Sequence, residues 1–278
     1  MNTTKIDLHC HSNASDGKYS PAEIINRAYK NNVKILALTD HDTIKGLSSA
    51  LEEAKNKDMI FIPGIELSTF HNNESIHVLG YFKDDSYKNS ELASFLSDLN
   101  KKRKERAIKI IHNLDTYYNI KLDVDKVLSL ANGVVARPHI AKAIIDAGYN
   151  YEWDYIFDNF ICNNSKAYVP NEKISTEEGI KLLKKYNCVV VLAHPVLIKK
   201  SPITDFLSMG FDGFEAYYFQ NFKKDTERLS GICNVNNLLC TCGSDFHGID
   251  DNDSKHGDIG DMKMPEKYID EFLKFYNS

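Results

Sequence analysis

The feature that most constrains this chain is a recurrence: short apolar runs end repeatedly in histidine and carboxylate. Asp7, His9 and His11 alternate at the end of the first run, so on a strand they point to one side. Asp16 follows beside Gly17. Asp40-His41-Asp42 closes the second run, and Glu66 follows Pro63-Gly64-Ile65 at the end of the third. His77 opens the fourth, and His194 precedes Pro195 after Cys188 to Ala193. Asp245 and His247, again two apart, end the last. The predicted strands are Lys5 to Cys10, Val33 to Leu38, Met59 to Ile62, Ile76 to Tyr81, Cys188 to Ala193, Gly213 to Tyr217 and Leu238 to Cys242. Helical segments separate them. Ser20-Pro21-Ala22-Glu23 and Ser175-x-x-Glu178 read as capping boxes. Such alternation predicts α/β architecture, with parallel βα units closed into a barrel. The C-terminal strand ends of a parallel barrel share one rim, where active sites form.

From about Ser90 the pattern changes. Leu92 to Tyr118 reads as one long helix, and further helical segments run to about Ile161 without a strand pattern. This predicts a barrel built from 1–85 and 171–278, with a helical insertion at 86–170 covering the site. Lys101-Lys102-Arg103-Lys104 in the long helix is either a solvated face or a basic rim for phosphates. The aromatics from Tyr149 to Phe160 are either helix core or a surface that stacks a base.

A net charge of -5 argues against a general nucleic-acid coat or an anionic-membrane binder. No run of about 18 apolar residues predicts a transmembrane helix. The N-terminus lacks the layout of a signal peptide. The six cysteines are scattered and read as reduced thiols of a cytoplasmic protein, with Cys240-x-Cys242 in a buried strand.

A single histidine or aspartate at a strand end is usually a cap or a hydrogen-bonded core group. So many of them on one rim is a different matter, because burying them without a cation is costly. Divalent ions resolve that cost. Imidazole with carboxylate suits Mn, Fe or Zn, and the lack of thiolate ligands argues against a structural zinc site. Cys10, between His9 and His11, should point to the opposite side.

The motifs Asp7-Leu8-His9-Cys10-His11-Ser12, Ser15-Asp16-Gly17, Leu38-Thr39-Asp40-His41-Asp42, Gly64-Ile65-Glu66, Ala193-His194-Pro195 and Gly243-Ser244-Asp245-Phe246-His247 resemble the polymerase and histidinol phosphatase (PHP) family. The resemblance implies a distorted (β/α)7 barrel. It also implies nine metal ligands: His9, His11, Asp16, His41, Glu66, His77, His194, Asp245 and His247, with Glu66 bridging. Two or three divalent ions are expected, Mn2+ foremost and Zn2+ or Fe2+ as alternatives. Asp7, Asp40 and Asp42 are expected to orient histidines from behind. His71 and His112 do not match the pattern and read as surface residues.

Ala136-Arg137-Pro138-His139-Ile140-Ala141 and Lys166-Ala167-Tyr168-Val169-Pro170 resemble segments of the branch that removes the 3′-phosphate of 3′,5′-nucleotide bisphosphates. Members of that branch also trim short RNA from its 5′ end. Arg137, His139, Lys166 and Tyr168 are therefore the expected substrate-binding residues, unless Arg137-Pro138 is only a helix start. His256, before the family-like loop Gly257-Asp258-Ile259-Gly260, is a further pocket candidate. The expected reaction is hydrolysis of a phosphate monoester by a metal-bridging hydroxide, with Asp245 receiving the water proton and His194 or His247 protonating the leaving oxygen. The alternatives are a 5′-to-3′ exoribonuclease, a histidinol-phosphate phosphatase and a non-catalytic PHP module. A small phosphorylated nucleotide or a short RNA end is the expected partner, with no membrane and no required protein partner.

Overall fold

The computed structural model describes residues 4–131, 134–170, 174–248 and 255–278. The elements run β1 (Ile6–Asp7), α1 (Pro21–Lys30), β2 (Ile35–Leu38), α2 (Leu47–Ala54), β3 (Ile60–His71), β4 (Glu74–Phe82), α3 (Ser90–Tyr118), α4 (Val124–Leu130), α5 (Arg137–Asp146) and α6 (Trp153–Asn159). They continue with β5 (Ile174–Ser175), α7 (Thr176–Lys185), β6 (Cys188–Leu192), β7 (Gly213–Tyr218), α8 (Lys223–Asn236), β8 (Leu239–Gly243) and α9 (Glu266–Tyr276). Both predicted capping boxes form. Ser20 Oγ accepts from Glu23 N, and Glu23 accepts from Ser20 N at 2.8 Å; Ser175 and Glu178 repeat the arrangement at α7. Among the described residues, no helix is long and apolar enough to cross a membrane.

The strands stand in the order β1-β2-β3-β4-β6-β7-β8, with β5 paired to β3. Leu8 N donates to Cys242 O at 3.0 Å, and Cys10 bridges Phe246 in parallel, which brings the last strand back against the first. The result is a distorted, nearly closed seven-stranded barrel. Most neighbours are parallel, as expected, but β4 is antiparallel to both β3 and β6. The cause is local. Asn72 and Asn73 both have positive φ, 46° and 57°, and form a two-residue hairpin turn where a parallel connection would need a crossover helix. Because β4 runs backwards, its N-terminal half lies at the rim where its neighbours end. That places His77, early in its strand, beside residues that come late in theirs.

The barrel interior packs around side chains such as Leu36, Leu38, Ile65, Val190, Phe214 and Phe272. A second apolar cluster gathers Ile110, Ile111, Leu114, Ile140, Ile144 and Ile156. Helix α3 joins the two, since its Leu92 and Leu96 belong to the barrel cluster. We propose 86–170 as the inserted unit, with α3 as its stem; the return near 171 lies outside the described residues.

Candidate metal centre

Beyond Asp7 the chain stays extended, so alternate side chains face opposite ways. Leu8 and Cys10 enter the barrel core, and Cys10 Sγ donates to Ala37 O at 3.2 Å. His9 and His11 face the rim, where their Nε2 atoms lie 3.1 Å apart. Gly243 passes so close that a Cβ there would collide with His9 and with the Glu215 carboxylate.

Glu66, fully buried, sits at the middle of the cluster. Its Oε2 lies 3.4 Å from His9 Nε2, 3.3 Å from His11 Nε2 and 2.9 Å from His41 Nδ1. Its Oε1 lies 3.0 Å from His77 Nδ1 and 3.0 Å from His194 Nε2. Asp245 Oδ1 stands 3.3 Å from His9 Nε2 and 3.1 Å from His11 Nε2. Asp16 approaches His41 Nε2 at 3.8 Å and His247 Nε2 at 3.4 Å. Four overlapping groups result: His11, Asp16, His41 and His247; His9, His11, Glu66 and Asp245; His41, Glu66 and His77; and Asp245, His247 and His256. His194 and Asp245 hold left-handed backbone conformations, with φ of 31° and 54°. Such conformations cost energy in residues other than glycine and concentrate at functional sites.

The donors fit divalent cations. His11 Nδ1, Asp16 Oδ1, His41 Nδ1, Glu66 Oε2 and His77 Nδ1 are buried and find no hydrogen-bond partner among the described residues. Their lone pairs converge across short N···O distances that lack hydrogen-bond alignment, and buried polar atoms are rarely left in that state. The mixture of imidazole and carboxylate without thiolate suits hard-to-borderline divalent ions. The charges are finely balanced. Burial opposes ionisation of Glu66, Asp16 and Asp245, yet the surrounding imidazoles outweigh it and hold all three well below the usual carboxylate range. Burial, aided by His247, brings His11 down to about 3, and burial brings His77 down to about 4. At His41 and His247 burial acts the same way, but Glu66 and Asp16 prevail and raise them to about 9 and about 10. Protons and divalent ions compete for such nitrogens, because only neutral imidazole is a ligand.

The sequence matches the family described as the PHP domain over residues 7–193. The chain belongs to the PHP family. It is 32% identical to a 5′-3′ exoribonuclease of Haemophilus influenzae over 251 residues, 88% of this chain and 90% of that one. It is 28% identical to a 3′,5′-nucleoside bisphosphate phosphatase of Chromobacterium violaceum over 251 residues, 87% of each. A Bifidobacterium adolescentis structure described as a metal-dependent phosphoesterase superposes with a TM-score of 0.85 at 27% identity, covering 98% of this chain and 96% of that one. The PHP match ends at 193; Asp245 and His247 join the centre through the ligand-type groups they complete, and His194 through its contact with Glu66.

Behind the PHP centre, the expected supports are redistributed. Asp7 accepts backbone N–H groups from Ser244 at 3.1 Å and Gly260 at 2.9 Å; burial raises its carboxyl to about 6. Asp40 accepts from Ser12 N, Ser12 Oγ and Ser15 Oγ at 2.6, 2.7 and 2.8 Å. Asp42 accepts from Ser68 N at 2.7 Å and pairs with Arg103. Asp7 also accepts from His9 N at 3.3 Å and so holds that histidine through its backbone, while Asp40 and Asp42 pin loops and a helix; the expected task of all three was to orient imidazoles. That task falls to Glu215, which sequence reasoning missed: its Oε1 lies 3.0 Å from His9 Nδ1, and its Oε2 accepts from His194 N at 2.7 Å. Its signal was present, as the one charged residue in the strand Gly-Phe-Glu-Ala-Tyr-Tyr. Tyr218 OH, also missed, donates to Asp245 Oδ2 at 3.1 Å.

A cavity of about 760 Å³ opens over the PHP centre, lined by Asp16, His41 and His77 of the barrel and by Arg103, Arg106 and Arg137 of α3 and α5. Tyr168 lines it too, with the Arg106 guanidinium 5.8 Å from its ring centre. Burial, and then the neighbouring Arg137, lower Arg106 to about 10, still fully cationic near neutrality. Arg137 and Tyr168, expected to bind substrate, line this cavity. Lys166 does not: it is exposed and outside the cavity lining. His139 Nδ1 accepts from Ala136 N at 3.0 Å at the helix start, and burial keeps its imidazole below the usual range against the pull of the Asp16 carboxylate. Of the charge run, Arg103 turns inward while Lys101, Lys102 and Lys104 are exposed. His256 lies tilted against His247, with ring centres 4.5 Å apart, and its Nε2 is 4.0 Å from Asp245. His71 is partly buried against Phe206, and His112 is exposed.

Proposed function

We propose that this PHP phosphoesterase hydrolyses the 3′-phosphate of 3′,5′-nucleotide bisphosphates, such as adenosine 3′,5′-bisphosphate, to leave the 5′-monophosphate. The observation that carries the reading is one cavity lined both by ligand-type side chains of the barrel and by guanidinium groups of α3 and α5. A molecule with two phosphates separated by a ribose matches both sets. A monoester such as histidinol phosphate leaves the arginines without an anion.

In this reading His9, His11, Asp16, His41, Glu66, His77, His194, Asp245 and His247 hold two or three divalent ions, Mn2+ foremost. When bound, such ions activate water and neutralise charge on the phosphoryl group and the leaving oxygen. Arg137, with Arg106 beside it, grips the 5′-phosphate through charge-assisted hydrogen bonds. Tyr168 covers the nucleoside and helps to exclude water. Asp245, held by Tyr218, takes the proton of the attacking water. His194 or His247, by leaving the metal transiently and taking up a proton, would protonate the departing 3′-oxygen.

A second reading, 5′-to-3′ exoribonuclease, is favoured by the relative of that name at 32% identity. It shares the 5′-phosphate grip. Phosphate release from adenosine 3′,5′-bisphosphate, set against nucleotide release from short 5′-phosphorylated RNA, tests the two. A protein inactive on the bisphosphate contradicts the first.

A further inference from the structure

We propose that Gln220 is a positioning residue of the PHP centre: it sets the direction of the Tyr218 hydroxyl, which in turn holds Asp245 with Oδ1 towards the ions and Oδ2 away from them. The inference rests on the reading of Asp245 as a metal ligand and adds the device that aims its carboxylate.

The contacts begin in β7. Tyr218 is its last residue and is buried, with its ring tilted against that of His194 and the centres 5.5 Å apart. Beyond it the chain turns. Asn221 N donates to Tyr218 O at 3.0 Å, and Asn221 Nδ2 donates to Ala216 O at 2.8 Å. Within that turn Gln220 comes back over the strand end. Its Nε2 donates to Tyr218 OH at 3.0 Å and to Lys255 O at 2.9 Å. Tyr218 OH donates onward to Asp245 Oδ2 at 3.1 Å.

The directions follow from which groups can donate. Lys255 O is a carbonyl and only accepts, so the Gln220 amide must present its NH2 group there. The same nitrogen then faces Tyr218. A phenol hydroxyl has a single proton, and with Gln220 donating to its oxygen that proton is left to point at Asp245. Oδ2 is thereby occupied. Oδ1 is the oxygen that lies 3.3 Å from His9 Nε2 and 3.1 Å from His11 Nε2. The aim needs such support, because Asp245 stands on a left-handed backbone, with φ of 54°. Neither Tyr218 nor Gln220 lines the cavity, so their effect reaches substrate only through the centre.

The test is a double-mutant cycle of Tyr218→Phe and Gln220→Glu. It is read as the Mn2+ dissociation constant, from the electron-spin signal of free Mn2+, and as kcat and KM on adenosine 3′,5′-bisphosphate. Gln220→Glu keeps the size but turns the donor into an acceptor, which draws the Tyr218 proton away from Asp245. Gln220→Leu removes the donor and supplies no acceptor. Tyr218→Phe and Gln220→Glu should each weaken Mn2+ binding about tenfold or more, the usual loss for a group behind a metal ligand. Gln220→Leu should weaken it about threefold, the worth of a modest hydrogen bond. With Tyr218→Phe already present, Gln220→Glu should add less than about twofold. At saturating Mn2+ kcat should fall, while KM stays within about twofold.

Gln220→Glu no worse than Gln220→Leu overturns the relay. So does a Gln220→Glu loss of equal size with and without the Tyr218 hydroxyl, which would show the new charge acting on the ions directly. Mn2+ binding unchanged by Tyr218→Phe overturns it as well, whatever the substrate. Asp245→Asn that binds Mn2+ as the wild type does would instead sink the ligand reading beneath it.

Discussion

Oε1 of Glu66 lies 3.0 Å from Nε2 of His194, although the two residues stand 128 positions apart. Glu66 comes from β3 and His194 follows β6, and β4 runs between those strands. One buried carboxylate thereby ties both halves of the barrel to a single centre. Glu66→Gln keeps the shape and removes the charge. Bound metal per chain should fall, and phosphate release should drop by at least about a hundredfold, beyond the usual effect of an outer-shell change. Elemental analysis beside a phosphate assay checks this.

Glu215 touches no part of the cavity wall but holds His9 by its ring and His194 by its backbone. Glu215→Gln should lower metal affinity or turnover about 10- to 100-fold while the fold survives. Metal titration followed by activity at saturating Mn2+ separates the two effects. Unchanged affinity and rate would show that His9 needs no such support.

Arg137→Ala should raise KM for adenosine 3′,5′-bisphosphate about 10- to 100-fold, the worth of charge-assisted hydrogen bonds to a phosphate. KM for a simple aryl phosphate, which offers no second anion, should move little. Equal effects on both substrates would remove Arg137 from the 5′-phosphate grip.

Arg103 joins α3 to the barrel through Asp42, which is 1% exposed. Arg103→Met leaves that carboxylate buried with Ser68 N as its remaining neighbour of note, and should cost about 3 kcal/mol of stability. Adding Asp42→Asn should recover much of the loss. Urea unfolding midpoints of the single and double variants measure the coupling.

Much of the centre was legible because strand alternation is rigid. His9 and His11 had to share a side, and Asp245 and His247 were again two apart. The direction of β4 was not read, because Pro63-Gly64 interrupts the strand pattern and hides that β3 continues to His71. The Asn72-Asn73 turn was the signal for it. Arg103 escaped because a run of consecutive charges covers every side of a helix, and only tertiary packing selects the one that turns inward. His139 shows the opposite case: a polar residue three places after a helix cap has a local partner, and its Nδ1 takes it.

The most direct measurement is phosphate release from adenosine 3′,5′-bisphosphate with added Mn2+, against AMP and histidinol phosphate, with and without chelator. The account predicts rapid release from the bisphosphate, AMP as the product that accumulates, and loss of activity on chelation that Mn2+ restores. Turnover of histidinol phosphate alone, or release from the bisphosphate that chelation leaves untouched, would contradict it.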